Sequence, residues 1–163
     1  MLKKIHYTNN RNKRNMINTI KSSNLIDINL ILKAVYVSER MKVADLGCGS
    51  SGFLSFVLAR AVGKSGVVYA VDILRPKLET LERKIKQENC KNIITIWSNL
   101  EIFNATKIEA GSLDAVFLVN TLYQSTKKEE ILRESVRLLK KGAKAVVIEW
   151  KNISIPFGPP SEE

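Results

Sequence analysis

The chain has little of several features that define specialised classes of protein. Its 163 residues include two cysteines, four prolines, eight glycines and one histidine. Two cysteines cannot form a disulfide framework, and Cys48 and Cys90 supply no CxxC pair for a metal ion. No apolar run approaches the roughly 18–20 residues that span a bilayer, and the residues after Met1 contain no signal-peptide stretch. These absences predict one cytoplasmic domain with free thiols, no metal and no membrane span.

Positive charge, by contrast, is in excess and is concentrated near the start of the chain. Lysine and arginine number 26 against 16 aspartates and glutamates, so the net charge is +10. Residues 1–42 hold nine of the basic residues but only two acidic ones. Residues 1–23 are therefore predicted to form a basic polar arm that is frayed or weakly helical. Such an arm could bind RNA through phosphate contacts, although a solvated tail explains the same composition.

From residue 42 onward, short apolar segments alternate with helical patterns. Strands are predicted at Lys42–Leu46, Val67–Val71, Ile93–Trp97, Ala115–Val119 and Ala145–Trp150. This alternation predicts an α/β fold, a doubly wound and mostly parallel Rossmann-like sheet with strand order 3-2-1-4-5. Residues 24–155 then form the domain, which is preceded by the basic arm and followed by an irregular tail at 156–163.

Helices are predicted before the first strand and between successive strands, except between the third and fourth, where residues 101–112 are predicted to form a loop. One covers residues 25–37, and another begins near Pro76. The helix before the last strand shows a capping box at Thr126–Glu129 and a closing Lys140-Lys141-Gly142. Its predicted buried stripe consists of Ile131, Leu132, Val136 and Leu139.

Parallel sheets bind ligands outside the carboxyl ends of their strands, where the strand order reverses. The segments expected there are residues 45–52, 72–73, 98–101 and 120–124. Three glycines between the first strand and its helix let the backbone turn tightly and a ligand approach closely. Asp72, at the end of the second strand, can accept both hydroxyls of a ribose. The sequence therefore predicts a ligand that contains a nucleoside.

The charge of the site favours one nucleoside ligand over another. Residues 47–52 match the GxGxxG fingerprint of dinucleotide-binding proteins, which leaves an NAD-binding oxidoreductase as an alternative. Asp45 precedes these glycines, and its carboxylate would repel a pyrophosphate. The same carboxylate suits a ligand that carries an ammonium and a sulfonium group, as S-adenosylmethionine does.

Four segments together resemble the class I S-adenosylmethionine-dependent methyltransferases. They are Val43–Phe53, Val68–Ile73, Leu113–Tyr123, and Leu138–Gly142 with Val146–Glu149. The likeness is to the type found in ubiquinone and menaquinone biosynthesis and covers about residues 25–155. It implies S-adenosylmethionine as cofactor and transfer of its methyl group to an unidentified acceptor, with a small molecule favoured.

The resemblance also implies a role for each matching position. Asp45 and the backbone around Gly47 would hold the methionyl part, and Asp72 the ribose. Asn99 stands where the family usually has an acid that contacts the adenine amino group, and Asn120 would lie near the transferred methyl. The implied cofactor-binding residues are Asp45, Leu46, Gly47, Cys48, Gly49, Gly52, Asp72, Ile73, Asn99, Leu100 and Asn120. No catalytic base is assigned.

Three departures from the family pattern bear on activity. Ser51 replaces the third glycine of GxGxG, which is displaced to Gly52, and Asn99 replaces an acid. The chain also stops before two further strands of the family, so the fifth strand is predicted to be an open edge that a homodimer or the tail would cover. The alternatives are a non-catalytic or truncated cofactor-binding domain, an RNA methyltransferase that uses the basic arm, and the NAD-binding oxidoreductase.

Overall fold

A six-stranded parallel sheet with helices on both faces makes up the fold. The computed structural model of the chain describes residues 3–4 and 28–149. The strands are β1 (Lys3–Lys4), β2 (Lys42–Leu46), β3 (Val67–Asp72), β4 (Ile93–Trp97), β5 (Leu113–Val119) and β6 (Leu139–Ile148). The helices are α1 (Ile28–Val35), α2 (Phe53–Val62), α3 (Arg75–Gln87) and α4 (Lys128–Leu138), and a short 3-10 helix covers Leu122–Gln124.

The strands lie in the order β1-β6-β5-β2-β3-β4. All neighbouring pairs are parallel, and β2 has β3 on one side and β5 on the other. The predicted order 3-2-1-4-5 is therefore confirmed for the five strands that follow α1. Strand order reverses at β2, so the carboxyl ends of β2 and β5 form the crevice where ligands of such sheets bind.

The sheet separates two apolar clusters because successive side chains of a strand point to opposite faces. In β2, Val43 packs with α1, α2 and α3, whereas Ala44 and Leu46 pack on the face covered by α4. The helix predicted to begin near Pro76 is confirmed as α3, and its Leu78 and Leu81 are buried against the sheet. Burial of each such aliphatic side chain contributes about 1.5–3 kcal/mol to stability.

The edge strand of the sheet differs from the prediction. Lys3 and Lys4 pair in parallel with Val146 and Val147, so β6 is not an open edge at these residues. The prediction missed this pairing because backbone hydrogen bonds do not depend on side-chain type, and two lysines carry no strand signal. The rest of the basic arm, Trp150 and the tail lie outside the described residues, and the homodimer stays a prediction.

The boundary between α4 and β6 is also different from the prediction. The segment Lys140-Lys141-Gly142 does not close the helix, which ends at Leu138, but belongs to β6. Leu139 is already extended and pairs with Leu113 across the sheet. The Nζ of Lys140 bonds to Asp114 Oδ1 at 2.6 Å. Pairing of Leu139 with β5 therefore outweighs the local C-cap signal, and the shift of register after Leu139 leaves residues 140–142 between the paired residues.

The start and the buried stripe of α4 need two further corrections. The predicted capping box is wrong: the N-cap is Lys127, and no side chain caps it. Instead, the backbone N–H of Lys127 donates to Ser125 Oγ at 2.9 Å. Val136 is exposed rather than buried, because it lies about 140° around the helix from Ile131 at 100° per residue.

A buried ion pair fixes α4 to the loop between β4 and β5. Glu134 is fully buried, and Arg137 contacts its carboxylate at 2.7 Å. The same carboxylate accepts hydrogen bonds from Thr106 Oγ1 and the backbone N–H of Asn104, both at 2.7 Å. Burial alone would raise the pKa of Glu134, but these hydrogen bonds lower it to about 2. The loop thus covers this face of the sheet without a helix.

Removal of this charge should destabilise the fold. In Glu134→Gln, Arg137 keeps a charge without its partner, so we expect the free energy of unfolding near pH 7 to fall by about 3 kcal/mol. The stabilisation by Glu134 is present above the unfolded pKa and is lost as pH falls toward its folded pKa of about 2. Urea unfolding should therefore show the difference between wild type and variant shrinking below about pH 4.5.

The matched control for this variant is Glu130→Gln. Glu130 lies on the same helix at the same i,i+3 spacing from an arginine, but its partner Arg133 is exposed and 3.8 Å away. Loss of such a surface pair should cost under about 1 kcal/mol. Equal losses for the two variants would contradict the assigned role of the Glu134 network.

Candidate functional site

The glycine-rich turn after β2 is held between the ends of β3 and β5. The backbone N–H groups of Gly47 and Cys48 both donate to Val71 O, at 2.8 and 3.0 Å. Gly47 has a φ of +86°, and a Cβ there would lie 2.5 Å from Thr121 Oγ1. Only glycine fits this close approach of two loops without strain.

Asp72 lies beside this turn, as the sequence predicted. Its buried carboxylate accepts the backbone N–H of Gly49 at 3.0 Å through Oδ2 and that of Leu74 at 2.9 Å through Oδ1. Each carboxylate oxygen can accept a second hydrogen bond. Asp72 therefore shapes the glycine-rich turn and keeps the acceptor capacity that two ribose hydroxyls would need.

Asp45 is a second buried carboxylate at the same end of the sheet. Its side chain points to the face covered by α2, where Ser55 Oγ donates to Oδ2 at 2.6 Å. Burial raises the pKa of Asp45 to about 6, although the Ser55 hydrogen bond opposes the shift. A carboxylate held this way is destabilised in its charged form, and a nearby cation would stabilise it.

The end of β4 brings further polar groups to the same edge. The backbone N–H of Ser98 donates to Asp72 O at 3.1 Å. The hydroxyl of Ser98 is buried and has no hydrogen-bond partner among the described residues. Asn99 Oδ1 accepts the N–H of Glu101 at 2.9 Å and so stabilises its own loop. Its contact with an adenine stays a prediction.

The end of β5 completes the edge. Asn120 has a φ of +53°, and its N–H donates to Ile148 O at 2.8 Å. Thr121 Oγ1 donates to Leu46 O at 2.9 Å, which ties this turn to the end of β2. The predicted site residue Asn120 thus lies on a turn that contacts the glycine-rich turn.

The predicted site residues are not all equally placed to touch a ligand. Eight of them lie at the carboxyl ends of β2 to β5, here called the carboxyl edge. They are Asp45, Gly47, Cys48, Gly49, Asp72, Ile73, Asn99 and Asn120. The side chains of Leu46 and Leu100 are buried in the core instead, so they could offer a ligand only their backbone. Gly52 serves as the N-cap of α2 and packs against Leu81, which is a structural role.

Cys48 is placed as a packing residue, not as a reactive thiol. Burial and the charges of Asp45 and Asp72 raise its pKa, so it stays protonated at neutral pH. His6 lies outside the described residues. Within those residues, no three His, Cys, Asp or Glu side chains gather closely enough to hold a metal ion.

Sequence reasoning missed Ser55, and it placed Thr121 only within the segment 120–124. Ser55 had a signal, because it is a polar residue between apolar residues at the start of α2, ten positions after Asp45. The contact of Thr121 with Gly47 had no signal, since it depends on the adjacency of β2 and β5. Tertiary contacts of this kind do not appear in local patterns.

A concavity elsewhere in the fold lies at the opposite ends of the strands. Its lining includes Arg60, Gly63, Glu88, Cys90 and Asn92. None of the predicted site residues contributes to it. Both amide donors of the Asn92 side chain are already bonded to backbone oxygens, so the carboxyl edge is the stronger candidate site.

Comparison with known families assigns the chain. The model of the ubiE/COQ5 methyltransferase family matches residues 6–158. The chain belongs to the ubiE/COQ5 methyltransferase family. This membership agrees with the resemblance found in the sequence, and the matched range contains every candidate residue at the carboxyl edge.

Individual members and solved structures agree with this family. The demethylmenaquinone methyltransferase of Lactococcus lactis is 34% identical over 72% of this chain and 45% of its own length. The 2-phytyl-1,4-naphtoquinone methyltransferase of Nostoc punctiforme is 33% identical over 69% of this chain and 47% of its own length. A SAM-dependent methyltransferase from Aquifex aeolicus aligns with a TM-score of 0.75 and 25% identity, covering 93% of this chain and 80% of that one. The chain thus spans about half the length of the curated relatives it matches.

Replacement of the buried carboxylate Asp45 should stabilise the fold. Because burial raises its pKa from 3.8 to about 6, the folded protein binds this proton more tightly than the unfolded chain. Stability therefore falls as pH rises from about 4 to about 6 and stays lower above that range. We expect urea unfolding of Asp45→Asn to give about 2–3 kcal/mol more stability than wild type at pH 7.5, and little difference at pH 4.

Asp114→Asn is a control in which we expect the opposite change in stability. Hydrogen bonds from Lys140 and the backbone N–H of Lys42 lower the pKa of Asp114 despite its partial burial. That variant should therefore be less stable than wild type at pH 7.5. An Asp45→Asn variant that is equally destabilised at both pH values would contradict the conclusion that burial destabilises the charged form of Asp45.

Proposed function

We propose that the chain binds S-adenosylmethionine at the carboxyl ends of β2 to β5 and transfers its methyl group to a small organic acceptor. The observation that carries this proposal is the pairing of two buried carboxylates, Asp45 and Asp72, without a cation. The partners described for both are a hydroxyl and backbone amides. None of the six ion pairs among the described residues includes either.

Two uncompensated carboxylates in a chain of net charge +10 create a local preference for a positively charged ligand. A pyrophosphate at the same place would be repelled, which argues against an NAD-type dinucleotide. The ammonium and sulfonium of S-adenosylmethionine satisfy the preference. Membership of a methyltransferase family supports the same choice.

The residues at the edge fit this cofactor. A Cβ at Gly49 would meet nothing within 4 Å, so the turn leaves open space for a ligand to approach its backbone. Asp72 retains acceptor capacity for the ribose, and the buried Ser98 hydroxyl, which donates to no described group, adds a donor one residue beyond β4. Asn120 would lie at the methionyl end.

When bound, the cofactor would supply a methyl group on a positively charged sulfur. The chain's own contribution is to bind, orient and exclude water, and such alignment accounts for about 7–11 kcal/mol of a barrier in favourable cases. Asp45 and the glycine-rich turn would fix the methionyl end and Asp72 the ribose. An acceptor would approach over the turn at Asn120.

A quinone-type aromatic ring is the acceptor class that we propose. Relatives from Lactococcus lactis and Nostoc punctiforme are named for methylation of such rings. Another relative, from Aquipseudomonas alcaligenes, is an arsenite methyltransferase, and arsenic(III) is a soft centre that suits several thiolates. This chain has two cysteines, and Cys48 and Cys90 lie at opposite ends of the sheet. Arsenite is therefore the weaker candidate.

Ligand binding distinguishes a site for S-adenosylmethionine from a site for NAD. Isothermal titration calorimetry should show binding of S-adenosylhomocysteine and none of NAD. Asp72→Ala should weaken binding at least about tenfold, because two charge-assisted hydrogen bonds to the ribose are lost. The exposed Glu79→Ala, on α3 next to Asp72's strand, should leave the affinity unchanged. Binding of NAD alone would reject the proposal.

Methyl transfer tests the acceptor. The chain, incubated with S-adenosylmethionine labelled in its methyl group, is offered a demethylated naphthoquinol, arsenite or RNA in separate reactions. We expect label in the extracted quinone fraction, and none of it in the Asp72→Ala reaction. Label in RNA would favour a role for the basic arm at residues 1–23. Cofactor binding without transfer to any acceptor would indicate a non-catalytic domain.

No helix of the described residues is long and apolar enough to cross a bilayer.

A further inference from the structure

We infer that Glu149 is a positioning residue: its carboxylate fixes the turn after β5 and, through Thr121, the glycine-rich turn. The inference rests on the proposed function, because its consequence is measured as cofactor affinity. Glu149 follows directly on β6, outside the set of residues that the family resemblance assigned to the cofactor.

The contact between Glu149 and the turn is direct. Glu149 Oε1 accepts the backbone N–H of Thr121 at 2.9 Å and that of Leu122 at 2.6 Å. These two amides open the 3-10 helix at Leu122–Gln124 and follow Asn120, whose φ of +53° lies in the left-handed region that few residues other than glycine and asparagine adopt. A carboxylate that accepts both amides stabilises this conformation through charge-assisted hydrogen bonds.

Thr121 carries the effect to the cofactor side. Its backbone is held by Glu149, while its hydroxyl donates to Leu46 O at 2.9 Å. The same side chain packs so closely on Gly47 that no Cβ fits between them. Displacement of Thr121 would therefore remove a wall of the glycine-rich turn, on which the proposed methionyl contacts depend.

Both hydrogen bonds of the Glu149 carboxylate among the described residues are accepted by one oxygen, Oε1. Oε2 is buried and has no hydrogen-bond partner among the described residues. A glutamine at this position keeps an oxygen that can accept both amides, whereas an alanine keeps none. If Glu149 acts by positioning, the glutamine variant should rescue what the alanine variant loses.

Asp114 provides a matched control at the amino ends of the strands, opposite the candidate site. Its carboxylate also accepts a backbone N–H, that of Lys42 at 2.8 Å, and so ties the amino ends of β2 and β5. Like Glu149, it thus joins β5 to a neighbouring strand through a backbone N–H, but it lies away from the candidate site. A general effect on the fold would appear in both carboxylates, and an effect on the site only in Glu149.

The experiment measures affinity for S-adenosylhomocysteine by calorimetry and the melting temperature of every variant. Glu149→Ala and Thr121→Val should each bind about tenfold more weakly than wild type, and Glu149→Gln should stay within about threefold. Asp114→Ala should lower the melting temperature and leave the affinity within about twofold. Glu149→Gln and Thr121→Val keep the test usable if the alanine variant does not fold.

A double-mutant cycle decides whether Glu149 acts through Thr121. The combined Glu149→Gln and Thr121→Val variant should bind no more weakly than Thr121→Val alone. When Glu149→Ala is combined with Thr121→Val, the fold-loss of affinity should be smaller than the product of the two single losses. Both changes disturb the same contact, that of Thr121 with the glycine-rich turn. Fully multiplicative losses, or unchanged affinity in both single variants, would overturn the inference. A wild-type chain that binds no S-adenosylhomocysteine would overturn the proposed function instead.

Discussion

The site depends on one constraint of the sheet: β2 has parallel partners on both sides. Because β3 and β5 run in the same direction as β2, all three strands end at the same edge. The chain that leaves β2 must then turn between the ends of its two neighbours. Gly47 bonds to β3 through Val71 O and contacts the turn after β5 through Thr121. Glycine is required because two segments of the chain, the end of β3 and the turn after β5, approach it at once.

This arrangement brings buried carboxylates together at an energetic cost to the fold. Asp45 is destabilised by its own burial, as its raised pKa shows. We expect a neutral residue at that place to give a more stable protein, and the positively charged ligand proposed above would offset the cost of the carboxylate. The buried Glu134 is the opposite case, because Arg137, Thr106 Oγ1 and the backbone N–H of Asn104 all donate to its carboxylate and its pKa falls. The contrast separates a carboxylate that is neutralised within the fold from one that has no cationic partner among the described residues.

Much of the fold could be predicted because β2 and β4 are short apolar runs and their bounds follow from local pattern. Right-handed crossovers implied a doubly wound sheet, for which the order 3-2-1-4-5 was assumed and then confirmed. Asp72 was placed correctly because it ends a strand. The errors occurred where a tertiary contact outweighs a local signal. Lys140 looks like the end of a helix, but Leu139 before it already pairs with β5 and the Lys140 side chain bonds to Asp114, so it belongs to β6. Residues Lys3–Lys4 give no strand signal at all, yet their backbone pairs with β6.

The contacts of Thr121 and Glu149 show why the site was only partly predictable. The residues expected to bond to a ligand were recognisable by type, since they are carboxylates and glycines at the ends of neighbouring strands. Residues that hold those groups in place are ordinary in type and are defined by which strands become neighbours. Glu149 reaches the turn after β5 because β6 pairs with β5, and Thr121 reaches Gly47 because β5 pairs with β2. The geometry of the glycine-rich turn is therefore a property of three adjacent strands, and no single motif in the sequence contains it.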